Sequence, residues 1–429
     1  MLPREVEYRV SSLPPEVSTS AYVSRSQNGQ SHVGGQQIQT SLIMNRGTYL
    51  IPNSLYATFN INVTAPAVGD NAILGLPACS VIQRLDTFAN STSIESTSQY
   101  NQITNLLFNG KLGVSEKMGL SKPFGVDFTQ NSANEVDSRT ITAGSGANII
   151  SVAVPVCCVL SNADKLIPLD SAEYRLFFTV EQLENIACLS ADGTATTLTG
   201  YSISDFELHY KAVQFDAQTD ALIKSQVSPD GSILLKSESY QSSVQSVANG
   251  TSGTVALPFA NSLTSIKSLI ATFTRSDRYK LGCGASYDIT GAGGSLNWEV
   301  AGKNYPQTAF NLSTHSAAVP LEFLESVHGV MSSPASAQTS MSANNFRVLN
   351  VAFGADNLKD LSKAYFGYNC EKMAGQNALN GISSMNSNIV LRVNIDGAAT
   401  GVASTACQIF HHDVIMKYDA VANTLVVMR

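Results

Sequence analysis

Charge is scarce in this sequence: 14% of its 429 residues are Asp, Glu, Lys or Arg, against roughly 25% in an average soluble protein. The net charge is −7, which argues against a general nucleic-acid binder. Near the start, Arg4, Arg9 and Arg25 are balanced by Glu5, Glu7 and Glu16, so that region is not polybasic. Trp298 is the single tryptophan. The seven cysteines, Cys79, Cys157, Cys158, Cys188, Cys283, Cys370 and Cys407, are scattered and odd in number. With no signal peptide legible, they are expected as reduced thiols. Cys157 and Cys158 would point to opposite faces of a strand and cannot easily bridge to each other. The longest uncharged stretch, 141–163, is interrupted by Gly144, Gly146, Asn148, Ser151 and Pro155. What remains, 149–160, is too short to cross a bilayer and is expected as buried strand.

Motifs for chemistry are also missing. His32, His209, His315, His328, His411 and His412 show no His-x-x-x-His spacing, and the cysteines no Cys-x-x-Cys, so no metal site is expected. Neither a phosphate-binding Gly-x-x-x-x-Gly-Lys loop nor a Gly-x-Ser-x-Gly nucleophile elbow occurs. Gly282-Cys283-Gly284 and Gly291-Ala292-Gly293-Gly294 read as turns. Glu173, Glu181, Glu184 and Glu299 could supply a glycosidase carboxylate pair, but nothing selects among them. Asn62, Asn90, Asn249 and Asn311 are N-glycosylation acceptors by pattern, which an unexported chain would not use. The expectation is therefore no catalytic residue, no cofactor and no metal.

What the sequence does have is a repeat. Ser54-Leu55-Tyr56-Ala57-Thr58-Phe59 returns 214 positions later as Ser268-Leu269-Ile270-Ala271-Thr272-Phe273. Both copies alternate apolar and polar residues, the period of a half-buried strand. Around the first copy lie further alternating runs at 80–88, 149–160, 174–183 and 206–215, with helical spacing over 98–108. Around the second lie strands at 254–259, 266–274, 389–395 and 409–418, with a helix expected over 357–368. A long Gly/Ser/Asn-rich excursion, 110–147, separates elements of the first set and is expected as a contact-forming loop; in the second set a long excursion, 276–345, includes a Gly-rich stretch, 282–295, that reads as turns.

The chain thus divides into an extended arm (1–37), a first β-domain (38–217), a polar linker with a Pro229-Asp230-Gly231 turn (218–237) and a second β-domain (238–429). The fold class is all-β: two consecutive eight-stranded jelly-roll sandwiches with short helices in connecting loops. At this level the chain resembles the double jelly-roll major capsid proteins of the adenovirus hexon, tailless-phage, polinton-like virus and large DNA virus lineage. The residues that carry the resemblance are Tyr49-Leu50-Ile51-Pro52, Ile82-Gln83-Arg84-Leu85, Tyr100-Asn101, Leu166-Ile167-Pro168-Leu169 with Tyr174-Arg175-Leu176, and the closing strands.

The resemblance implies a structural protein of the virion capsid, assembled in the host cytoplasm or nucleus, and no enzyme. Homotrimers of pseudo-hexagonal outline would tile an icosahedral shell against neighbouring capsomers. Penton and minor capsid or cement proteins are implied as partners, with an internal membrane or membrane proteins beneath the shell, and no sequence-specific contact with nucleic acid. Low charge suits large buried contacts, since desolvating unpaired charge is costly. Three alternatives stay open, one of them a bacterial surface or fibre protein, which would normally be exported. A single-jelly-roll capsid protein with a protruding β-domain would usually carry a basic arm. A carbohydrate-binding β-sandwich would be expected to show clustered exposed aromatics.

Overall fold

The alternation of the repeated hexapeptides is that of strands with one face in a core. The computed structural model describes residues 18–64, 72–74, 77–120, 122–125, 140–141, 144, 146–170, 172–189, 200–225, 232–260, 262–275, 294–312, 318–328, 364–372, 379–385, 387–395, 403–419 and 424–428. The first half runs β1 (Ser18–Arg25), β2 (Ser31–His32), β3 (Gln37–Ser41), β4 (Thr48–Leu50), β5 (Tyr56–Thr64), β6 (Ala72–Leu74), α1 (Pro77–Ser80), β7 (Ile82–Ala89), β8 (Thr92–Thr97), α2 (Tyr100–Lys111), α3 (Val114–Gly119), β9 (Thr140–Ile141), β10 (Ala147–Pro155), β11 (Ile167–Pro168), β12 (Tyr174–Val180), α4 (Leu183–Ile186), β13 (Ala187–Leu189) and β14 (Gly200–Gln214). After α5 (Ala217–Ser225), the second half runs β15 (Ser232–Val247), β16 (Gly253–Phe259), β17 (Ile266–Arg275), β18 (Ser295–Val300), β19 (Lys303–Asn311), α6 (Ala318–His328), β20 (Phe366–Asn369), β21 (Ile389–Ile395), β22 (Ser404–Asp419) and β23 (Thr424–Met428).

Strand pairing repeats between the halves. In the first, β10-β5-β14 forms one sheet with β1 on the free side of β14, and β3-β12-β7-β8 forms the facing sheet. In the second, β20-β17-β22-β15 and β16-β21-β18-β19 follow the same order. Equivalent elements start between 204 residues apart (Gly200 and Ser404) and 219 apart (Ala147 and Phe366). Both hairpins of the facing sheets close in two residues, Asn90-Ser91 and Ala301-Gly302, with positive φ at Asn90, Ala301 and Gly302 as tight hairpins require. These are two jelly rolls of one topology. Ala57, Phe59, Ile61 and Val63 of β5 point into the first core, and Leu269, Ala271 and Phe273 of β17 into the second.

The helix expected at 98–108 is α2. The helix expected at 357–368 is contradicted at its C-terminal end. Residues 357–363 lie outside the described residues, and Phe366–Tyr368 belongs to strand β20. Among the described residues the counterpart of α2 is α6, which follows the β18–β19 hairpin as α2 follows β7–β8. Val319, Phe323 and Val327 carry its buried stripe, and Pro320 in its first turn costs no helical hydrogen bond. The expected excursion 276–345 therefore contains two strands and a helix of the sandwich itself. Within the other excursion, 110–147, the described parts include α3 and β9. The stretch read as an arm holds β1 and β2, both paired to β14, and the stretch read as a linker holds α5 and the first residues of β15. The Pro229-Asp230-Gly231 turn lies outside the described residues.

Glycine controls one close approach. Ile266 and Ile382 form an isolated antiparallel bridge, and a Cβ at the neighbouring Gly381 would collide with the Ile266 backbone. Gly381→Ala is expected to cost about 1–3 kcal/mol through this overpacking, read as a lower urea midpoint. Gly119→Ala, where the added methyl meets open space, should leave the midpoint unchanged or slightly raised.

Candidate assembly surfaces

The described residues hold no cluster of three or more His, Cys, Asp or Glu able to grip a metal, and no helix long and apolar enough to cross a membrane. The 149–160 segment begins as β10 and bends inward at Val156, Val159 and Leu160. Cys79, Cys157, Cys158, Cys370 and Cys407 are unbridged thiols. Burial holds all five in the protonated form, with Cys157 pushed up to about 11 and Cys158 and Cys407 to about 12. They pack as small apolar groups.

The four candidate carboxylates serve separate structural roles. Glu173 pairs with Arg175 at 3.0 Å, Glu299 pairs with Arg392, and Glu181 is buried, accepting from Asn101 (2.8 Å) and Asn185 (2.9 Å). Glu184 is exposed on α4. Trp298 is fully buried, its indole donating to Gln408 Oε1 at 2.8 Å, so it offers no platform to a sugar. Asn62 is half-buried and donates to Ser204 at 3.0 Å, Asn90 Oδ1 accepts from the Glu173 backbone, and Asn249 and Asn311 are exposed. In the shallow concavity outside β3-β12-β7-β8, both arginines are answered, Arg84 by Asp86 and Arg175 by Glu173.

What the chain builds with care is the joint between its two jelly rolls. Among the described residues β15 pairs only with β22, so its other edge would present bare N–H and C=O groups. The first jelly roll covers that edge. Thr97 Oγ1 donates to Tyr240 O (3.0 Å), Ser98 Oγ to Ser242 O (3.2 Å), Asn162 Nδ2 to Glu238 O (3.1 Å), and the Asp164 N–H to Lys236 O (3.0 Å). The buried Glu95 carboxylate accepts from both the Val159 N–H (3.0 Å) and the Ser239 hydroxyl. Above the edge, Ile103, Leu106 and Leu107 of α2 pack with Phe323 and Val327 of α6 on Ile270, Cys407 and Ile409, closing the outer face of the β20-β17-β22-β15 sheet. Below it, Leu235, Val414, Met416, Tyr418 and Leu425 enter the first core.

One ionic cluster sits on this sheet. Lys267 bridges Glu238 and Glu371 (2.8 Å to the latter), and His411 Nε2 lies 3.0 Å from Glu238 Oε2. His411 also stacks on Tyr240, ring centroids 4.6 Å apart. Burial pushes the Glu238 carboxyl up, but the His411 hydrogen bond and charge, joined by Lys267, outweigh it and hold the group well below the usual carboxylate range. Burial pulls Lys267 down, and its two carboxylates more than restore it. His411 and His412 are adjacent in β22, so their side chains leave opposite faces of the strand. Accordingly, His411 meets Glu238, while His412 Nδ1 lies 3.1 Å from the Asp413 carbonyl. No spacing rule exposes the cluster, because Lys267, Glu371 and His411 reach Glu238's neighbourhood from three different segments.

The equivalent outer face of the first sheet is open. Register across β1-β14-β5-β10 sets Val23, His209, Tyr56 and Pro155 in one row, and Arg25, Glu207, Thr58 and Ala153 in the next. Tyr56 stacks on His209 with centroids 4.7 Å apart, and Arg25 pairs with Glu207 at 2.9 Å. Val23, Tyr56 and Ile149 stand exposed on this face.

No protein-family model matches the chain, and no curated protein matches it in sequence. Solved structures do match in fold. One is the VP54 protein of PBCV-1 fitted into a reconstruction of the virophage Sputnik: TM-score 0.63, 11% identity, 98% of this chain and 99% of that one. The Faustovirus major capsid protein gives 0.60 at 9% identity over 97% and 92%, and the mavirus major capsid protein 0.53 at 11% over 99% and 93%. Matched across 97–99% of its length, this chain has the double jelly-roll fold of those capsid structures.

Proposed function

We propose that the chain is a structural major capsid protein, without enzymatic activity, whose homotrimers act as pseudo-hexameric capsomers tiling an icosahedral virus shell. The observation that carries this reading is the duplication itself. Two sandwiches of one topology, joined side by side within a chain, give a trimer six similar domains, which lets three chains occupy a position of local sixfold symmetry. A head-to-tail contact of this kind closes into a ring when its rotation permits. The domain division follows the same logic, with 38–217 and 238–429 as the bodies of the two jelly rolls, to which the stretches 1–37 and 218–237 add β1, β2 and the first residues of β15. Penton and minor capsid or cement proteins, and an internal membrane or membrane protein beneath the shell, belong to the proposal as partners. So does assembly in the host cytoplasm or nucleus.

The second half repeats the topology of the first, which disfavours a single jelly roll with a dissimilar protruding domain. The burial of Trp298 weighs against a glycan-binding surface. Size-exclusion with light scattering on the purified protein should give three times the 45.6 kDa chain mass, and negative-stain images should show hexagonal plates or shells. A stable monomer at micromolar concentration would refute the capsomer reading.

A further inference from the structure

The two jelly rolls are equivalent in topology but unequal in what covers them. β1 and β15 hold the same place, each on the free side of the long closing strand of its sheet, β14 or β22. β15 is largely buried, its edge clamped by the end of β8, by α2 and by the 157–164 segment. β1 is exposed along almost its whole length. It bears no charge before Arg25 in the sequence Ser18-Thr19-Ser20-Ala21-Tyr22-Val23-Ser24-Arg25. A bare, uncharged edge strand is a template for pairing with another chain.

Internal symmetry says what should cover it. The first jelly roll's clamp on β15 comes from three places: the end of its second hairpin strand, the helix that follows, and the segment after the strand β10. Their equivalents in the second jelly roll are the end of β19, the start of α6, and the segment after β20. Among the described residues of one chain no strand pairing or hydrogen bond joins those parts to β1, because the joint between the halves uses the first jelly roll's clamp. Exposed apolar residues lie on them: Leu321 in α6, and Leu379 and Met385 after β20. On the opposing side, Val23, Tyr56 and Ile149 stand exposed on the open sheet face.

We infer that β1 and the outer face of β1-β14-β5-β10 bind a second copy of this chain, through that copy's β19 end, α6 start and 379–385 segment. The intrachain joint is the template for the contact between chains. On the open face Arg25 is already paired to Glu207, and the rows beside it hold Val23, His209, Tyr56, Pro155, Thr58 and Ala153, with Lys211 one row further out opposite Ala21. The contact is heterologous, so each chain offers one clamp and one open face, and three chains leave neither unused. This inference rests on the trimer reading of the preceding subsection and adds which faces meet.

Charge on the face tests it. Val23 and Ile149 are 53% and 68% exposed, so Val23→Glu/Ile149→Glu should leave the fold of the single chain intact. The double variant is expected to run as a monomer in light scattering, with far-UV circular dichroism unchanged. Leu321→Glu, on the proposed clamp, should do the same from the other side. Leu222→Glu and Val426→Glu, at 59% and 53% exposure but off both surfaces, should remain trimers. A wild-type monomer would sink the trimer reading itself. A wild-type trimer that survives Val23→Glu/Ile149→Glu would leave that reading standing and overturn the assignment of faces. Hydrogen exchange on the wild-type trimer is independent of any variant's folding. β1 amides should be protected to the level of β15, and β1 exchanging like an unpaired edge would overturn the inference.

Discussion

Phe178→Asp yields no folded trimer. Phe178 is buried in β12, cross-strand from Ile38 on one side and Leu85 on the other, both fully buried. Its ring lies 4.9 Å from that of Phe206, which in turn stacks on Phe59 at 5.6 Å. The side chain therefore ties β12 in one sheet to β14 and β5 in the other. Removing such a ring costs about 3–5 kcal/mol as lost burial and cavity. An aspartate adds the burial of a polar group with no partner, at least about 1–3 kcal/mol more even in its protonated form. Together these rival the ~5–15 kcal/mol by which a domain is stable. The neighbouring Phe177→Asp is the control. Phe177 faces the other way, half-buried edge-on to Phe88 with centroids 5.4 Å apart, and losing that cross-strand pair costs about 1 kcal/mol or less. Expression, solubility and light scattering of the two variants should differ sharply. A soluble trimer from Phe178→Asp would show that the sheet faces are misassigned.

Faces of this kind were legible in the sequence wherever alternation was strict. β21 occupies the expected 389–395, and Tyr174-Arg175-Leu176-Phe177-Phe178 shows its inward set at a glance, since Tyr174, Leu176 and Phe178 are all buried. The helical spacing of Ile103, Leu106 and Leu107 located α2, because tertiary burial and helix period agree there. The expectation of a helix over 357–368 fails at the residues that the structure describes, for a physical reason. Leu358, Leu361, Ala364 and Tyr365 have helical spacing, but Ala364 and Tyr365 lead directly into β20. The helix that the structure shows, α6, lies inside the 276–345 excursion. The hairpin of β18 and β19 was lost in the same excursion, although Leu296, Trp298 and Val300 alternate inward.

The joint was illegible for another reason. Glu95 and Ser239 are 144 residues apart, as are Ser98 and Ser242, and single serines next to small polar residues carry no pattern. β1 shows a signal only in Ala21-Tyr22-Val23, a short strand-forming run. Its significance comes from the contrast with β15, which only the paired topology exposes.

Lys267→Met is expected to lower stability by about 3–5 kcal/mol, because it leaves Glu238 and Glu371 in a largely buried site without their shared cation. The effect should be larger than that of Arg392→Met, whose more exposed pair with Glu299 is worth at most about 1 kcal/mol. Acid dependence separates the ionic loss from lost packing. In the wild type the Glu238 carboxyl is held below its unfolded range, so its contribution is fully present above the ordinary carboxylate pKa. That contribution is lost as pH falls through the depressed folded value. Burial alone would raise this group, and in Lys267→Met only His411 opposes that rise. The folded pKa of Glu238 should therefore climb, and the contribution it makes should shrink across the whole neutral range. Melting temperature recorded against pH should fall most above pH ~4.5 in the variant and converge with the wild type in stronger acid, where both carboxylates are protonated. Adding Glu238→Gln to Lys267→Met removes one uncompensated charge and should recover part of the loss. If the double variant is as unstable as the sum of the singles, the Lys267–Glu238 pair contributes no coupling, and the cluster is held by packing instead.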